Sequence, residues 1–214
     1  MFFFNDYILL AILRSKIYTI HMEIIEVISH NQESNTYIIQ SNTSAVIIDC
    51  GAQLEKIDSL INKKVEGVLL THGHFDHIFE LEKYVNKYNC PIYASSKIAD
   101  KLISPSKNLS DSFCERKVQF ASEILDKLIC VADEEFTCGD IKIKSITLPG
   151  HSACGMGYIV ENHLFSGDTL FSSCVGRYDL YDSSFLKLRK SLEKIKSSTT
   201  IKTIHPGHGK TFDK

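Results

Sequence analysis

A short segment dense in histidine and aspartate restricts how this chain can fold more than any other feature. Residues 71–77 read THGHFDH, at the end of a predicted strand (67–71) and the start of a predicted helix. Side chains two residues apart in an extended segment point the same way, so His72 and His74 can face one ion. Asp76 and His77 fall where the chain turns into the helix, where they can serve a second ion. The fold must therefore bring further ligands to this strand end.

Three later turns can supply those ligands. His151 and His208 each follow a Pro-Gly pair after an isoleucine-containing run, and Asp168 follows Gly167 at another strand end. Proline restricts φ and glycine permits a tight turn, so each turn can hold its side chain at the end of a sheet strand. A carboxylate such as that of Asp168 can bridge two cations with its two oxygens.

The candidate ligands therefore form two groups that share one carboxylate. They are His72, His74 and His151 for the first ion, Asp76, His77 and His208 for the second, and Asp168 between them. Nitrogen and oxygen donors without thiolate suit Zn²⁺, Fe²⁺ or Mn²⁺, and of these we expect zinc. Two divalent metal ions with open coordination positions predict hydrolytic chemistry. Asp76 is also the candidate catalytic residue.

Two further residues are candidates for supporting roles. Asp49 ends a predicted strand beside the first ligand strand, so its carboxylate is a candidate to accept the second N–H of a ligating histidine. Capping of a turn is the alternative role for Asp49. The loops 104–119 and 174–180 follow ligand strands and are expected to wall a substrate pocket, with Arg177 as the candidate pocket residue.

The composition excludes several classes of partner. The chain has 214 residues, 43% of them hydrophobic, and a formal net charge of −2. A chain this near neutrality lacks the basic surface expected of a protein that binds nucleic acid or an anionic membrane, so we expect a small-molecule substrate. Its 7 cysteines contain no C-x-x-C pair, which is typical of reduced thiols in a cytoplasmic protein.

The first 21 residues do not fit the pattern of the rest. Their longest uninterrupted apolar run covers only residues 7–13, far below the roughly 18 residues that span a bilayer, and no small-residue cleavage site follows it. We therefore expect no stable membrane insertion. Residues 1–21 are interpreted as an N-terminal extension or as a start assigned upstream of Met22, and residues 22–214 as one domain.

The order of elements predicts the architecture. Strands rich in isoleucine and valine are predicted at 23–29, 36–40 and 45–49, and a second set at 141–148, 157–160 and 163–166. Each set is followed by a helix, over 78–88 and 185–195, with apolar residues on one face. Two halves of this kind predict an α/β fold, a four-layer αββα sandwich in which two sheets face each other.

The motifs resemble those of the metallo-β-lactamase-fold hydrolases, and within them the small glyoxalase II-like group. The segments that carry the resemblance are THGHFDH at 71–77, LPGHS at 148–152, LFSGDTLF at 164–171, VGRYDL at 175–180 and HPGHG at 205–209. They occur in the family's order and spacing, and the resemblance, from about Met22 to the end, covers about nine tenths of the chain. The true β-lactamases of this fold resemble the chain less at the second ion, where His77 and Asp168 stand.

This resemblance implies the αββα fold, the same seven ligands and hydrolysis of a thioester such as an S-2-hydroxyacyl thiol by a metal-bridging hydroxide. The chain ends six residues after His208, without the helical extension that provides much of the glutathione site in full-length glyoxalase II enzymes. The resemblance therefore does not identify glutathione as the carrier thiol. Lactone or phosphoester hydrolysis and a mono-iron persulfide dioxygenase are the alternatives within the fold.

Overall fold

Two six-stranded sheets form the centre of the molecule. The computed structural model describes residues 22–30 and 33–214, so the first 21 residues and their interpretation lie outside it. The first sheet contains, in spatial order, β1 (Glu23–Ile28), β2 (Asn35–Gln40), β3 (Ser44–Ile48), β4 (Lys64–Leu69), β5 (Ile92–Ala94) and β6 (Leu128–Cys130). Its first three strands are antiparallel, and β3 to β6 run parallel.

In the second sheet, too, the strands lie side by side in the order in which they occur along the chain. It contains β7 (Glu134–Cys138), β8 (Ile141–Thr147), β9 (Met156–Val160), β10 (His163–Gly167), β11 (Thr203–Pro206) and β12 (Phe212–Asp213) in that order. Only β10 and β11 pair in parallel within this sheet, and its other neighbouring strands are antiparallel. Each sheet thus contains parallel pairing, in which the ends of neighbouring strands are directed to the same edge.

Six α-helices accompany these strands in the described part of the chain. They are α1 (Leu54–Asp58), α2 (Phe75–Ile78), α3 (Leu81–Tyr88), α4 (Ala99–Ile103), α5 (Ser110–Phe113) and α6 (Phe185–Ser197), with 3₁₀ turns at Ser96–Ile98 and Ser122–Lys127. Across the residues described, none of the helices has the length and apolar character needed to cross a bilayer.

Burial on both faces of the sheets produces four layers. Every residue of β2 is buried, and its side chains alternate between two separate apolar clusters. Tyr37 and Ile39 pack against the second sheet, in a cluster with Phe165, while Ile38 packs with Tyr84 of α3. On the far side, Ile195 of α6 packs on the outer face of the second sheet. The αββα sandwich expected from the sequence is confirmed.

Several elements differ from the sequence prediction. The helix predicted over 78–88 begins earlier, at Phe75, and is divided into α2 and α3. The division occurs because Glu80 leaves helical geometry (φ −108°, ψ 8°) and donates its backbone N–H to the carbonyl oxygen of Cys50. The edge strand β7 was not predicted, since its sequence EEFTC is largely exposed and lacks apolar alternation.

A buried histidine pair lies on the second sheet, away from the histidine segment. His205 is 7% exposed, its Nε2 is 2.9 Å from Nδ1 of His163, and its ring stacks on Phe165. Its Nδ1 lies 3.0 Å from the hydroxyl of Thr211. Burial, and to a smaller extent the neighbouring His163, lowers the pKa of His205 to about 4. The folded protein therefore holds this imidazole neutral.

This lowered pKa predicts a loss of stability in acid. The unfolded chain binds a proton at His205 near pH 6.5 and the folded chain only near pH 4, so unfolding takes up protons between these values. Stability present above pH 6.5 should fall by about 3 kcal/mol as the pH decreases to 4. Urea unfolding of the wild type and of His205→Gln measures this difference. A variant with the same pH dependence as the wild type would contradict it.

Candidate metal centre

The segment 71–77 forms the first half of the site. It leaves the end of β4, stays extended at His74 (φ −75°, ψ 149°), and starts α2 at Phe75, which places Asp76 in the first helical turn. Gly73 allows this segment to lie close to α4, because a Cβ at this position would be 2.7 Å from the Cβ of Lys101. The local geometry is therefore the one that the histidine spacing predicts.

Three histidines form one group of possible metal ligands. One ring nitrogen from each of His72, His74 and His151 lies within 4.8 Å of the others. Nδ1 of His74 and Nε2 of His151 are 2.9 Å apart. Nδ1 of His151 donates to the carbonyl oxygen of Arg177 at 2.9 Å, which directs the Nε2 lone pair toward the group. All three rings are buried.

A second group lies beside the first. Oδ2 of Asp76 is 3.0 Å from Nε2 of His208 and 3.4 Å from Nε2 of His77. Both histidines are oriented by hydrogen bonds from their other nitrogen. His77 Nδ1 donates to Asp49 Oδ2 at 2.7 Å, and His208 Nδ1 donates to the carbonyl oxygen of Glu33 at 3.0 Å.

Asp168 lies between the two groups. Its Oδ1 is 3.3 Å from Nε2 of His77, and its Oδ2 is 3.5 Å from Nε2 of His151 and 3.7 Å from Nε2 of His208. Gly207 makes this approach possible, since a Cβ there would lie 2.0 Å from Oδ1 of Asp168. The structure thus brings all seven candidate ligands predicted from the sequence into one cluster.

The cluster fits divalent cations on the evidence of its own unsatisfied atoms. Three buried ligand atoms within it lack a hydrogen-bond partner in the described structure: His72 Nε2, His77 Nε2 and Asp168 Oδ1. Each unsatisfied buried polar atom costs about 1–3 kcal/mol, so three together are unfavourable unless a ligand satisfies them. Imidazole and carboxylate donors are those that zinc, iron and manganese bind.

The protonation states support the same conclusion for the first group and for the bridging carboxylate. Burial, together with the neighbouring His77 and His74 rings, holds the pKa of His72 well below its usual value. Burial acts to raise the pKa of Asp168, but the adjacent His77 outweighs it and holds that pKa well below the usual range. Neutral imidazole and ionised carboxylate are the forms that ligate a metal.

His77 shows the opposite shift. Burial acts to lower its pKa, but the carboxylates of Asp76, Asp168 and Asp49 outweigh burial and raise the pKa well above the usual value. The surroundings of His77 therefore require positive charge. A proton supplies that charge in the metal-free protein, and a divalent cation can replace it.

Asp49 connects the first sheet to the ligand segment. Its carboxylate, in a residue only 2% exposed, accepts hydrogen bonds from Thr71 N (2.8 Å), Thr71 Oγ1 (2.7 Å) and His77 Nδ1. Its backbone adopts a left-handed φ of 60°, which is unusual for a residue other than glycine. The contact with His77 is the one that the sequence suggested, and the bonds to Thr71 add the turn-capping role.

Sequence reasoning missed Thr71. Its hydroxyl donates to Asp49 and lies 3.1 Å from Nδ1 of His72, so it links the carboxylate to the first ligand. The available signal was its position, a polar residue at the end of an apolar strand and directly before His72.

Arg177 contacts the site differently from the sequence expectation. Its carbonyl oxygen orients His151, whereas its guanidinium forms two 3.0 Å hydrogen bonds with the carboxylate of Asp179. Both of these side chains are exposed. The backbone of Arg177 therefore positions a candidate ligand, and its side chain faces solvent in the form described.

A buried lysine behind the first group was also not predicted. Lys101 is 1% exposed, and its Nζ lies 3.1 Å from Oδ2 of Asp182 and donates to the carbonyl oxygen of Lys107 at 3.0 Å. Asp182 Oδ1 in turn accepts the backbone N–H of Ala153 at 3.0 Å. Because the Lys101 stem packs against Gly73, this ion pair connects the turns that carry His74 and His151.

The remaining histidines do not enter the cluster. His163 and His205 pair with each other on the second sheet, and His21 lies outside the described residues. Cys154, near His151 in sequence, is buried with its Sγ 3.2 Å from Ser152 Oγ, and Cys174 is exposed. Neither thiol belongs to a group of possible metal ligands found in the described structure.

An αββα sandwich with two adjoining His/Asp groups at its strand ends defines a class of proteins that hold a pair of divalent cations. The sequence matches the Metallo-beta-lactamase superfamily over residues 32–208. The chain therefore belongs to the metallo-β-lactamase superfamily.

Two curated relatives resemble the chain over most of its length. A probable metallo-hydrolase of Streptococcus pyogenes, M6_Spy0554, is 29% identical over 90% of this chain and 86% of its own. The probable polyketide biosynthesis zinc-dependent hydrolase BaeB of Bacillus velezensis is 31% identical over 84% of this chain and 75% of its own. The glyoxalase II-like group does not appear in either name.

Two solved structures share the fold. The B3 metallo-β-lactamase BLEG-1 superimposes with a TM-score of 0.82 at 27% identity, covering 89% of this chain and 94% of its own. TTHA1623 in a di-iron-bound form superimposes with a TM-score of 0.75 at 25% identity, covering 88% of this chain and 94% of its own. The sequence analysis expects true β-lactamases to resemble the chain less at the second ion. The similarity in fold to BLEG-1, a protein named as a β-lactamase, gives that expectation no support.

The Asp49 contacts predict a loss of metal affinity in Asp49→Asn. An amide cannot accept all three hydrogen bonds, so His77 and Thr71 lose their fixed orientation, and we expect metal affinity to fall about 10- to 100-fold. Competition with a chromophoric chelator measures this change. Asp140→Asn is the matched control, because that carboxylate accepts a hydrogen bond from the hydroxyl of Ser41 outside the cluster. Equal affinity in both variants would contradict the role.

The buried ion pair predicts a large destabilisation in Lys101→Met. Removing buried Lys101 leaves the Asp182 carboxylate uncompensated. Because that side chain is 23% exposed, the cost should lie below the roughly 3–5 kcal/mol of a fully buried pair. Chemical denaturation of the metal-loaded protein measures this cost, and adding Asp182→Asn should recover part of it. Lys107→Met is the control, because that exposed lysine pairs with exposed Asp100 and should change stability little. A loss equal to that of the control would contradict the prediction.

Proposed function

We propose that this protein is a binuclear metal-dependent hydrolase that cleaves a thioester, such as an S-2-hydroxyacyl thiol, into a carboxylate and a thiol. The observation that carries the proposal is the convergence of buried, unsatisfied ligand atoms from His72, His77 and Asp168. Histidine and carboxylate ligands leave coordination positions open, which is the arrangement of a catalytic rather than a closed structural site.

The proposed assignment follows the geometry of the two groups. His72, His74 and His151 would hold the first cation, and Asp76, His77 and His208 would hold the second, with Asp168 lying between the two groups. Bound divalent cations supply a water of lowered pKa and polarise a carbonyl oxygen. Zinc is the proposed metal because it suits this donor set and because BaeB is named as zinc-dependent. Iron is the second candidate, since TTHA1623 is described with two irons.

Asp76 is proposed to act in catalysis as well as in binding. Burial acts to raise the pKa of Asp76, but His77 and His208 outweigh burial and lower it, so the carboxylate stays ionised at neutral pH. It also borders a cavity that opens beside the cluster. An ionised carboxylate at this position can accept a hydrogen bond from the attacking water and orient it toward the substrate carbonyl. Hydrolysis forms a C–O bond, breaks the C–S bond and releases the thiol with a proton.

The substrate class rests on two supports. The motifs at 71–77, 148–152, 164–171 and 205–209 resemble those of glyoxalase II-like hydrolases, and the net charge of −2 disfavours a nucleic-acid substrate. A small-molecule thioester is therefore proposed ahead of a phosphodiester. β-Lactams and lactones are substrates that the experiment must compare, given the similarity in fold to BLEG-1.

The test is metal analysis followed by a substrate panel. We expect two metal ions per chain, loss of thioester hydrolysis after chelation, and recovery on addition of two equivalents of Zn²⁺. His74→Ala should lower kcat/KM on the order of 10²-fold or more, because metal polarisation contributes several kcal/mol. His163→Ala, outside the cluster, should retain activity. One iron per chain with oxygen uptake on a persulfide, or faster hydrolysis of a lactone, β-lactam or phosphodiester, would overturn the proposal.

A further inference from the structure

A cavity of about 470 Å³ opens beside Asp76. One wall comes from α2 and the residue that follows it, and the other from the loop 104–119. The lining residues are Phe75, Asp76, Phe79, Phe113, Cys114, Glu115 and Arg116. The cavity therefore adjoins the second group of candidate ligands directly.

Three phenylalanines supply the apolar part of this cavity's lining, beside the charged side chains of Asp76, Glu115 and Arg116. Phe75 and Phe79 are four residues apart, so they share one face of the helical segment and both are half-buried. Phe113 faces them from the loop and remains 58% exposed. A large apolar surface left open beside a metal centre is typical of a ligand-binding cleft.

Residues 104–119, which include Phe113, are hydrogen-bonded to the ligand segment 71–77. The backbone N–H of Phe75 donates to the carbonyl oxygen of Asn108 at 2.9 Å. The side chain of Asn108 is fully buried and donates to the carbonyl oxygens of Lys101 (2.9 Å) and Val118 (2.7 Å). The cavity is therefore formed before substrate binds, which reduces the entropic cost of binding.

The charges at the rim do not favour an anionic ligand. The guanidinium of Arg116 lies over the ring of Phe79, 4.8 Å from its centroid, and therefore already contacts an aromatic face. Glu115, beside it, carries the opposite charge, and Asp76 is ionised. The part of the lining formed by the three phenylalanines fits an uncharged apolar group.

We propose that this cavity binds an aromatic or aliphatic arm of the substrate, so that the enzyme prefers thioesters with an apolar chain to those of small hydroxy acids. The proposal rests on the proposed thioester hydrolysis. The arm belongs to either the acyl or the thiol half of the substrate, and both halves present the same chemistry to the cavity. A volume near 470 Å³ accommodates a phenyl ring or a short alkyl chain.

Cysteine labelling tests the cavity without requiring turnover. Cys114 lines the cavity and Cys130 is exposed on β6, away from it. In the metal-loaded protein, the carboxylate of phenylacetate would bind at the metal ions and its uncharged ring would enter the cavity. At ten times its dissociation constant, phenylacetate should slow alkylation of Cys114 by iodoacetamide about tenfold and leave Cys130 unaffected. Acetate carries the same carboxylate without the ring and should not slow Cys114. Equal effects of the two acids would overturn the proposal.

Kinetics then identify the arm. With one small thiol, replacing acetyl by phenylacetyl should raise kcat/KM about tenfold or more if the acyl half occupies the cavity. With the acyl half kept as acetyl, replacing the small thiol by benzyl thiol should raise kcat/KM to the same extent if the thiol half occupies the cavity. Phe113→Ala should abolish most of the gain and the protection of Cys114. Leu186→Ala is the control, an equally accessible apolar side chain on α6 that should keep both.

The outcomes separate this inference from the proposed function. Thioester hydrolysis with no preference for apolar arms, and no selective protection of Cys114, overturns the inference and leaves the function standing. Selective protection by phenylacetate that depends on Phe113, in a protein that hydrolyses no thioester, supports the cavity and overturns the thioesterase assignment.

Discussion

The metal centre depends on the packing of the two sheets, because its candidate ligands come from both. The segment after β4 in the first sheet supplies four of them, and the turns after β8, β10 and β11 in the second supply three. Apolar side chains such as Ile39 and Phe165 pack between the sheets and set their separation. Protein interiors are close-packed, so a displacement of one sheet against the other would move ligands by amounts that coordination does not tolerate.

Polar contacts at the ligand end align the two sheets further. Met156 N donates to the carbonyl oxygen of Thr71 at 2.7 Å, and Tyr37 OH donates to that of Pro206 at 2.8 Å. Asn35 donates its backbone N–H to Gly207 at 2.7 Å. These bonds hold the turns of the second sheet against the strands of the first. The same contacts that complete the backbone hydrogen bonding of the turns therefore assemble the site.

The chemistry of the site follows from concentrating histidine and aspartate in a buried place. Burial favours neutral His72, whereas three carboxylates around His77 require positive charge there. Divalent cations meet both demands at once, because they bind neutral imidazole and neutralise carboxylate. Neighbouring segments then limit what reaches the cluster, and residues 104–119 present Phe113 together with Glu115 and Arg116 to the cavity beside it.

The sequence by itself determined the architecture and the candidate ligands, since both depend on local spacing: strand periodicity, histidines two residues apart at a strand end, and Pro-Gly turns before His151 and His208. Only the tertiary structure decided which groups support them. Lys101, the carbonyl of Arg177 and the cavity at Phe113 act through contacts between segments distant along the chain. Such contacts leave no local pattern, because sheet packing and loop closure create them.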